Sequence, residues 1–387
     1  MYDFNADIDR SKTDSVKWKL GASCASSTYP DVLPMWVADM DFASPPAIVE
    51  AMKRRSEHPI YGYSSKPIEF FDSYINWMKS RYGVSVDARW LSFSPGIVPA
   101  IATAIRAFTD RGDGVVITPP VYHPFKQLIE SNRRTVVEAP LALRNGRYEF
   151  DLQALDAACS KARLLVLCSP HNPVARVWNR EELDAVAAIT LRHKVLVIAD
   201  EIHGDLVFKH HRMVPSLSLD DEFKKRLIAA WAPSKTFNIA GLQASCVVIP
   251  DAALHAAFEQ ESAATGLGSP NCMIASAAVT AYASCGPWLD EALDHMWGNY
   301  EALVAGLAKK AAAIKVYPCE GTYLAWLDFR GVGLDGDVGA EIIDRAGLWL
   351  DAGVRFGTGG DGFARLNFAC PRQHMDTAVA RLSKAFG

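Results

Sequence analysis

Long apolar runs, a strong net charge and paired metal-ligand motifs are all missing from this 387-residue chain. Each absence closes a class of function. No uncharged apolar stretch approaches the ~18 residues that a membrane-crossing helix needs. Forty Lys and Arg against 44 Asp and Glu leave a formal charge of −4, so no long-range field recruits nucleic acid or an anionic membrane. The short basic runs Lys53-Arg54-Arg55 and Lys224-Lys225-Arg226 lie beside acids and read as solvated helix faces. The opening MYDFNADIDR is polar and acidic, unlike a secretory signal, and cytoplasm is the expected location. Eight cysteines (Cys24, Cys159, Cys168, Cys246, Cys272, Cys285, Cys319 and Cys370) form no C-x-x-C pair. Several sit in apolar runs such as LLVLCS, as small buried hydrophobes of a reducing compartment do; a disulfide framework or zinc site is not expected. The ten histidines contain no H-E-x-x-H, and no metal is expected. No internal repeat or low-complexity segment is visible.

What is present is a globular composition, half hydrophobic and 22% charged, on a chain long enough for two domains. From about residue 45 helix-period and strand-like segments alternate. Short runs rich in β-branched residues (GVVIT, RTVVEAP, RLLVLCS, KVLVIA, RLIAAWA, SCVVIP) are mostly separated by helical patterns, which indicates a mainly parallel sheet covered on both faces. Gly83 reads as a helix C-cap, and Asn179 with Glu182 as a helix N-cap. After about 280 the texture changes. WLDEALDHMWGNYEALVAGLAKKAAA is one long helical pattern, followed by strand-like TYLAWLDF and ARLNFAC and a helical AVARLSKAF. The expected division is a large domain over 45–285, with 1–44 and 286–387 forming a smaller α+β domain.

In an open α/β sheet, ligands bind beyond the carboxyl ends of the strands, and the informative polar residues fall there. Asp200 follows KVLVIA, Asn172 follows RLLVLCSP, Tyr122 follows VVITPP, and Ser234-Lys235 follow LIAAWAP. Ser94-Pro95-Gly96 stands where a strand meets a helix, and the amides there can cradle an anion. Taken singly, each has an ordinary reading: a cap, a packed turn tyrosine, an Asn-Pro turn, a snorkelling lysine. Together they fit one ligand, a flat phosphorylated pyridine aldehyde. The lysine forms a Schiff base with it, and the carboxylate keeps its ring nitrogen protonated.

At these positions the chain resembles the fold-type I pyridoxal-phosphate enzymes of the aminotransferase class I/II superfamily. Within that superfamily it is similar to the MalY/PatB group of cystathionine β-lyases, or C–S lyases. The resemblance is carried by PMWVADMDF (34–42), YGYSS (61–65), SPGIVPAI (94–101), PPVYHPF (119–125), CSPHNPVARVW (168–178), DEIHGDL (200–206), PSKTFNIAGLQAS (233–245), EGTYLAWLDF (320–329) and ARLNFACPR (364–372). It implies an α/β fold whose large domain holds a mainly parallel seven-stranded sheet between helices. Lys235 is then the Schiff-base lysine and proton-transfer base, Asp200 the partner of the pyridine nitrogen, and Tyr122 the ring stacker. Asn172 bonds the cofactor's phenolic oxygen. Gly96, Ile97 and Val98, with Ser234, hold the phosphate. Arg365 grips the substrate α-carboxylate, and Arg372 is a surface or helix-start residue. Tyr61 reaches the phosphate of the neighbouring subunit, which implies a homodimer with shared sites; it reads equally as a packed turn tyrosine. Trp36, Tyr61, Tyr63, His123 and Tyr323 are candidates to line the side-chain pocket.

Three departures qualify the resemblance. Gln243 stands eight residues after Lys235, where many aminotransferases carry an arginine, which favours the lyase branch. His203 stands where many have tyrosine; it either bonds the cofactor oxygen or orients Asp200, or is a satisfied core histidine. Ala175 occupies the usual glycine of HNPVA, and a positive φ there would strain the turn. The implied reaction is α,β-elimination from L-cystathionine or a related cysteine S-conjugate, giving a thiol (homocysteine from cystathionine), pyruvate and ammonia. The alternatives are an aminotransferase of the same fold and a regulatory protein that retains it.

Overall fold

The computed structural model describes residues 1–21, 28–65, 67–334 and 336–387, so Cys24 lies outside the described residues. Seven strands form the central sheet: β1 (Leu91–Ser94), β2 (Gly114–Ile117), β3 (Thr135–Glu138), β4 (Leu164–Cys168), β5 (Leu196–Asp200), β6 (Leu227–Trp231) and β7 (Ser245–Val248). Their order is β1-β7-β6-β5-β4-β2-β3. The four pairs from β6 to β3 are parallel, while β7 runs antiparallel to both β1 and β6. A mainly parallel sheet of seven strands is therefore present, as the resemblance implies.

The sequence pattern explains why the sheet is buried on both faces. Side chains alternate along a strand, so Leu165 and Leu167 join one apolar cluster while Leu164 and Val166 join the other. In β5, Val197 and Ala199 face the first cluster and Ile198 the second. Each fully buried Leu, Val or Ile contributes about 1.5–3 kcal/mol, so these uninterrupted apolar runs hold the sheet together. Replacing Leu165 by alanine would cost about 2–5 kcal/mol.

Local signals act as their chemistry requires. Gly83 ends the helix Ile68–Tyr82 at φ 69°, in the left-handed region. Asn179 and Glu182 form a reciprocal capping box on the helix Arg180–Arg192. Asn145 and Gly146, both at positive φ, join the two-stranded hairpin Ala142–Arg144/Arg147–Glu149. That Asn-Gly pair was a readable hairpin signal that the sequence reading passed over. The helices Ala252–Ala264 and Ile274–Ser284 were also passed over.

The long helical pattern is one helix, Gly286–Lys310. After it comes an antiparallel sheet of β8 (Lys315–Val316), β9 (Leu324–Asp328), β10 (Asp351–Ala352) and β11 (Phe363–Asn367), in the order β8-β9-β11-β10. The N-terminal segment reaches this region through a parallel ladder of Leu33–Pro34 with Leu348–Trp349. The ends of β1, β2, β4, β5 and β6 share one edge of the central sheet, since β4 pairs Cys168 with Asp200 and β5 pairs Asp200 with Ala230. That edge positions Tyr122, Asn172, Asp200 and Lys235. Among the described residues no helix is long and apolar enough to cross a membrane, and no group of His, Cys, Asp and Glu has metal-site geometry.

Candidate active site

The loops leaving that edge, together with the segment 36–38 and residues Asp351, Arg355 and Arg365, line a cavity of about 450 Å³. The chain arrives at it along buried strands, which carry polar residues to places an apolar sequence could not otherwise hold them. β6 (LIAAW) is buried throughout and delivers Ser234 and Lys235 in the turn Pro233–Thr236. The Lys235 amine donates a 2.5 Å hydrogen bond to the Ala38 carbonyl. Burial lowers its pKa to about 8, with Arg365 acting the same way and Asp39 and Asp200 opposing. The next residue, Thr236, donates to Asp205 at 2.8 Å, and buried Asp205 also accepts from Trp77 and Tyr82. The lysine's turn is thus fixed from the side away from the cavity.

Asp200 ends β5 and faces the same cavity. The Ile202 amide donates to its carboxylate at 3.1 Å. Burial raises its pKa to about 7, against the pull of the Ile202 amide and Lys235. A carboxylate so short of donors ionises readily only when a cation is placed against it. His203, one turn on, also lines the cavity; burial drives its pKa well below the usual value, so its imidazole is neutral. Its Nδ1 is buried with no hydrogen-bond partner among the described residues.

Tyr122, Asn172 and Trp36 contribute further wall. Gly96, Ile97 and Val98 bring the N-terminus of the helix Ile97–Phe108, which has no side-chain cap and so leaves its first amides free of that competition. Arg365, on β11, is 3% exposed. It donates to the Asn172 side-chain oxygen at 2.8 Å, to the Trp36 carbonyl at 2.7 Å and to Asp351 at 2.8 Å, while its Nε has no partner among the described residues.

Some of the expected residues stand elsewhere. Tyr61 is 57% exposed and donates to the Ser56 carbonyl at 2.8 Å, so a single chain does not bring it to the cavity. Tyr63 is fully exposed. Tyr323 does not line the cavity: it is buried, and its hydroxyl donates to the Ala38 carbonyl at 2.9 Å. Arg372 starts the last helix and pairs with Asp376 on the surface.

Sequence reasoning missed Asp351 and Arg355, which line the cavity from β10 and the turn after it. Their only signal was an i, i+4 acid–base spacing in DAGVR. It also missed the backbone wall of Val37 and Ala38, which no side chain announces.

The aminotransferase class I and II family matches residues 30–382. The chain belongs to that family. It is 40% identical to the cystathionine β-lyase PatB of Bacillus subtilis over 99% of both chains. With the protein MalY of Escherichia coli it shares 31% identity over all of this chain and 99% of that one. Its fold matches the crystal structure of cystalysin from Treponema denticola, which contains pyridoxal 5'-phosphate, with a TM-score of 0.95 and 35% identity over 100% and 98% of the two chains. Within the aminotransferase family the chain therefore sits with the MalY/PatB group.

Besides His203, whose buried Nδ1 has no partner among the described residues, the other two departures from the family pattern also have visible geometry. Gln243 lines the cavity from a left-handed backbone, φ 59°. Ala175 is buried at φ 57°, a conformation that disfavours a Cβ. Its amide donates to the His171 carbonyl at 2.8 Å, and its carbonyl accepts from Glu320 and Gly321, which holds the alanine there.

Proposed function

We propose that the protein is a pyridoxal-phosphate-dependent C–S lyase that cleaves L-cystathionine or related cysteine S-conjugates by α,β-elimination. The observation that carries this reading is the convergence of Lys235, Asp200, Asn172, Tyr122 and Arg365 on one cavity, in a chain 40% identical end to end to a cystathionine β-lyase.

The residues present fit the cofactor. Asp200 is a donor-poor buried carboxylate suited to a protonated ring nitrogen. The uncapped helix N-terminus at Gly96, Ile97 and Val98, with Ser234 beside it, offers amides and a hydroxyl to a phosphate. Gln243 in place of an arginine leaves that phosphate to neutral donors and the helix dipole. The Asn172 side chain, its oxygen already held by Arg365, keeps its amide nitrogen for the phenolic oxygen.

When bound, pyridoxal phosphate supplies an electron sink for the pair released when the Cα–H bond breaks. Arg365 holds the substrate carboxylate in a planar fork and so orients that bond. Lys235, with its proton affinity lowered to about 8, takes the α-proton at Nζ near neutral pH. Asp200 keeps the positive charge at the ring nitrogen that makes the sink effective. Tyr122 and Trp36 wall the cavity against water. The thiolate then leaves Cβ, and addition of one water gives pyruvate and ammonia.

Purified protein given L-cystathionine and no keto acid is expected to release pyruvate and homocysteine. Amino-group transfer that requires an added keto acid would instead make it an aminotransferase.

The same reading makes the active unit a homodimer in which Tyr61 of one chain completes the other's site. Exposed Ile60, Tyr61, Tyr63 and Ile68 lie close together in sequence and support such a contact. We further place the chain in the cytoplasm, supported by seven free cysteines among the described residues. We divide it into a large domain over 45–285 and a small one from 1–44 and 286–387.

A further inference from the structure

A second arginine faces the cavity that Arg365 lines. Arg355 has a side chain 42% exposed, and buried Asp351 joins the two. One oxygen of Asp351 accepts from Arg355 at 2.7 Å and the other from Arg365 at 2.8 Å. Two cations share one anion, which leaves an excess positive charge even before a substrate enters. The other end of the Arg355 guanidinium lies 3.2 Å from His123 Nε2, and its carbon stands 5.8 Å from the centre of the Trp36 ring. Trp36 is itself fixed by stacking on Trp349, at 4.6 Å and 18°. Burial and the neighbouring Arg355 lower His123 to about 4, so its imidazole is neutral and accepts from the guanidinium. A guanidinium has five N–H groups, and Asp351 and His123 engage two; no other acceptor meets Arg355 among the described residues.

Neutralising Asp351 does not by itself require Arg355 to line the cavity, because Arg365 already pairs with that carboxylate. The arrangement makes sense if a second anion arrives. We propose that Arg355, with Trp36 and His123, forms a subsite for an anionic group at the far end of the leaving thiol, selecting cysteine S-conjugates whose sulfur substituent ends in a carboxylate. This rests on the lyase reading above: Arg365 takes the carboxylate at Cα, and Arg355 takes the one beyond sulfur.

The test compares S-(2-carboxyethyl)-L-cysteine with its isosteric amide, S-(2-carbamoylethyl)-L-cysteine, by pyruvate release from the holoenzyme. The acid is expected to exceed the amide in kcat/KM by roughly tenfold or more, since a guanidinium pairs with a carboxylate far better than with a neutral amide. In Arg355→Gln that ratio is expected to fall to about one, and in Arg355→Lys to recover in part. Heptanedioate, an unreactive dicarboxylate with the same number of atoms between its carboxylates, gives a reading independent of turnover. Its affinity, followed by tryptophan fluorescence, is expected to drop roughly tenfold in Arg355→Gln relative to the drop for heptanoate. If acid and amide react alike in the wild type, or if their ratio is unchanged in Arg355→Gln, the subsite is wrong while the lyase reading stands. If L-cystathionine yields pyruvate but the acid conjugate does not, the subsite is wrong; if neither L-cystathionine nor either conjugate yields pyruvate, the lyase reading fails and takes the subsite with it.

Discussion

The Lys235 amine donates to the backbone carbonyl of Ala38, 197 residues earlier, at 2.5 Å. The carbonyl is held in place by its neighbours. Asn367 donates to the Val37 and Asp39 carbonyls at 2.6 Å each, and Asn238 to those of Met40 and Phe42. Behind them, buried Lys17 pairs with Asp41 at 2.5 Å. The N-terminal segment thus forms the wall against which the lysine rests, and among the described residues the amine makes no ion pair.

A lysine poised near pH 8 gives a pH-dependent capture of the cofactor. Only the free amine attacks an aldehyde, so the rate at which apoprotein takes up pyridoxal phosphate is expected to rise from about pH 6 and level off near about pH 9. Stopped-flow absorbance measures this. A rate that keeps climbing toward the ordinary lysine range would contradict the lowered value. Lys235→Ala is expected to lose elimination activity by on the order of a thousandfold or more, and to lose the visible absorption of the bound cofactor.

Asp200 links the apoprotein's stability to pH in a stated direction. Its folded value near 7 exceeds its ordinary 3.8, so the folded state holds the proton more tightly than the unfolded state between these values. Stability from this residue is full below about pH 4 and falls by an order of a few kcal/mol as pH rises to about 7. Glu201 acts alike, also near 7 through burial, so the comparison must be with Asp200→Asn. The melting temperature of wild-type apoprotein is expected to fall further between about pH 5 and about pH 7.5 than that of Asp200→Asn. Parallel curves would contradict this assignment.

Arg365→Lys removes the fork that reaches Asn172, Trp36 and Asp351 together. A lysine keeps the charge but not the planar bidentate geometry. We expect kcat/KM for an S-conjugate to fall by roughly tenfold to a hundredfold, mostly through KM. An unchanged KM would mean that the substrate carboxylate lies elsewhere.

Ala175 carries a backbone cost that glycine would not. A left-handed alanine is strained by about 1–2 kcal/mol, while glycine costs about 0.5–1 kcal/mol more in unfolded-chain entropy. Ala175→Gly is therefore expected to raise stability by up to about 1 kcal/mol, with little change in rate; thermal unfolding and the steady-state assay measure the two. A clear loss of stability would show that Ala175 packing outweighs the strain.

What could be read before the structure followed the physics of each element. Buried parallel strands are continuous apolar runs, so β4, β5 and β6 and the polar residues at their ends stood out, and Lys235, Asp200, Asn172 and Tyr122 do meet at one cavity. The capping box at Asn179 and the glycine at 83 were legible for the same local reason. Asp351 and Arg355 were not, because a strand of two residues and the turn after it carry no pattern, and nothing local distinguishes the pair from a surface ion pair. The Ala38 carbonyl was invisible, since a backbone acceptor leaves no mark in a sequence. Tyr61 stands outside its own chain's cavity, and one chain cannot supply what a neighbour would bring.

The most direct measurement counts turnovers without a keto acid. With L-cystathionine in large excess over enzyme, a lyase is expected to release pyruvate, ammonia and homocysteine in equal amounts, many equivalents per active site. An enzyme that releases no homocysteine, converts about one equivalent of cystathionine per site to its keto acid, and resumes only when another keto acid is added, is an aminotransferase, and that result would contradict the account.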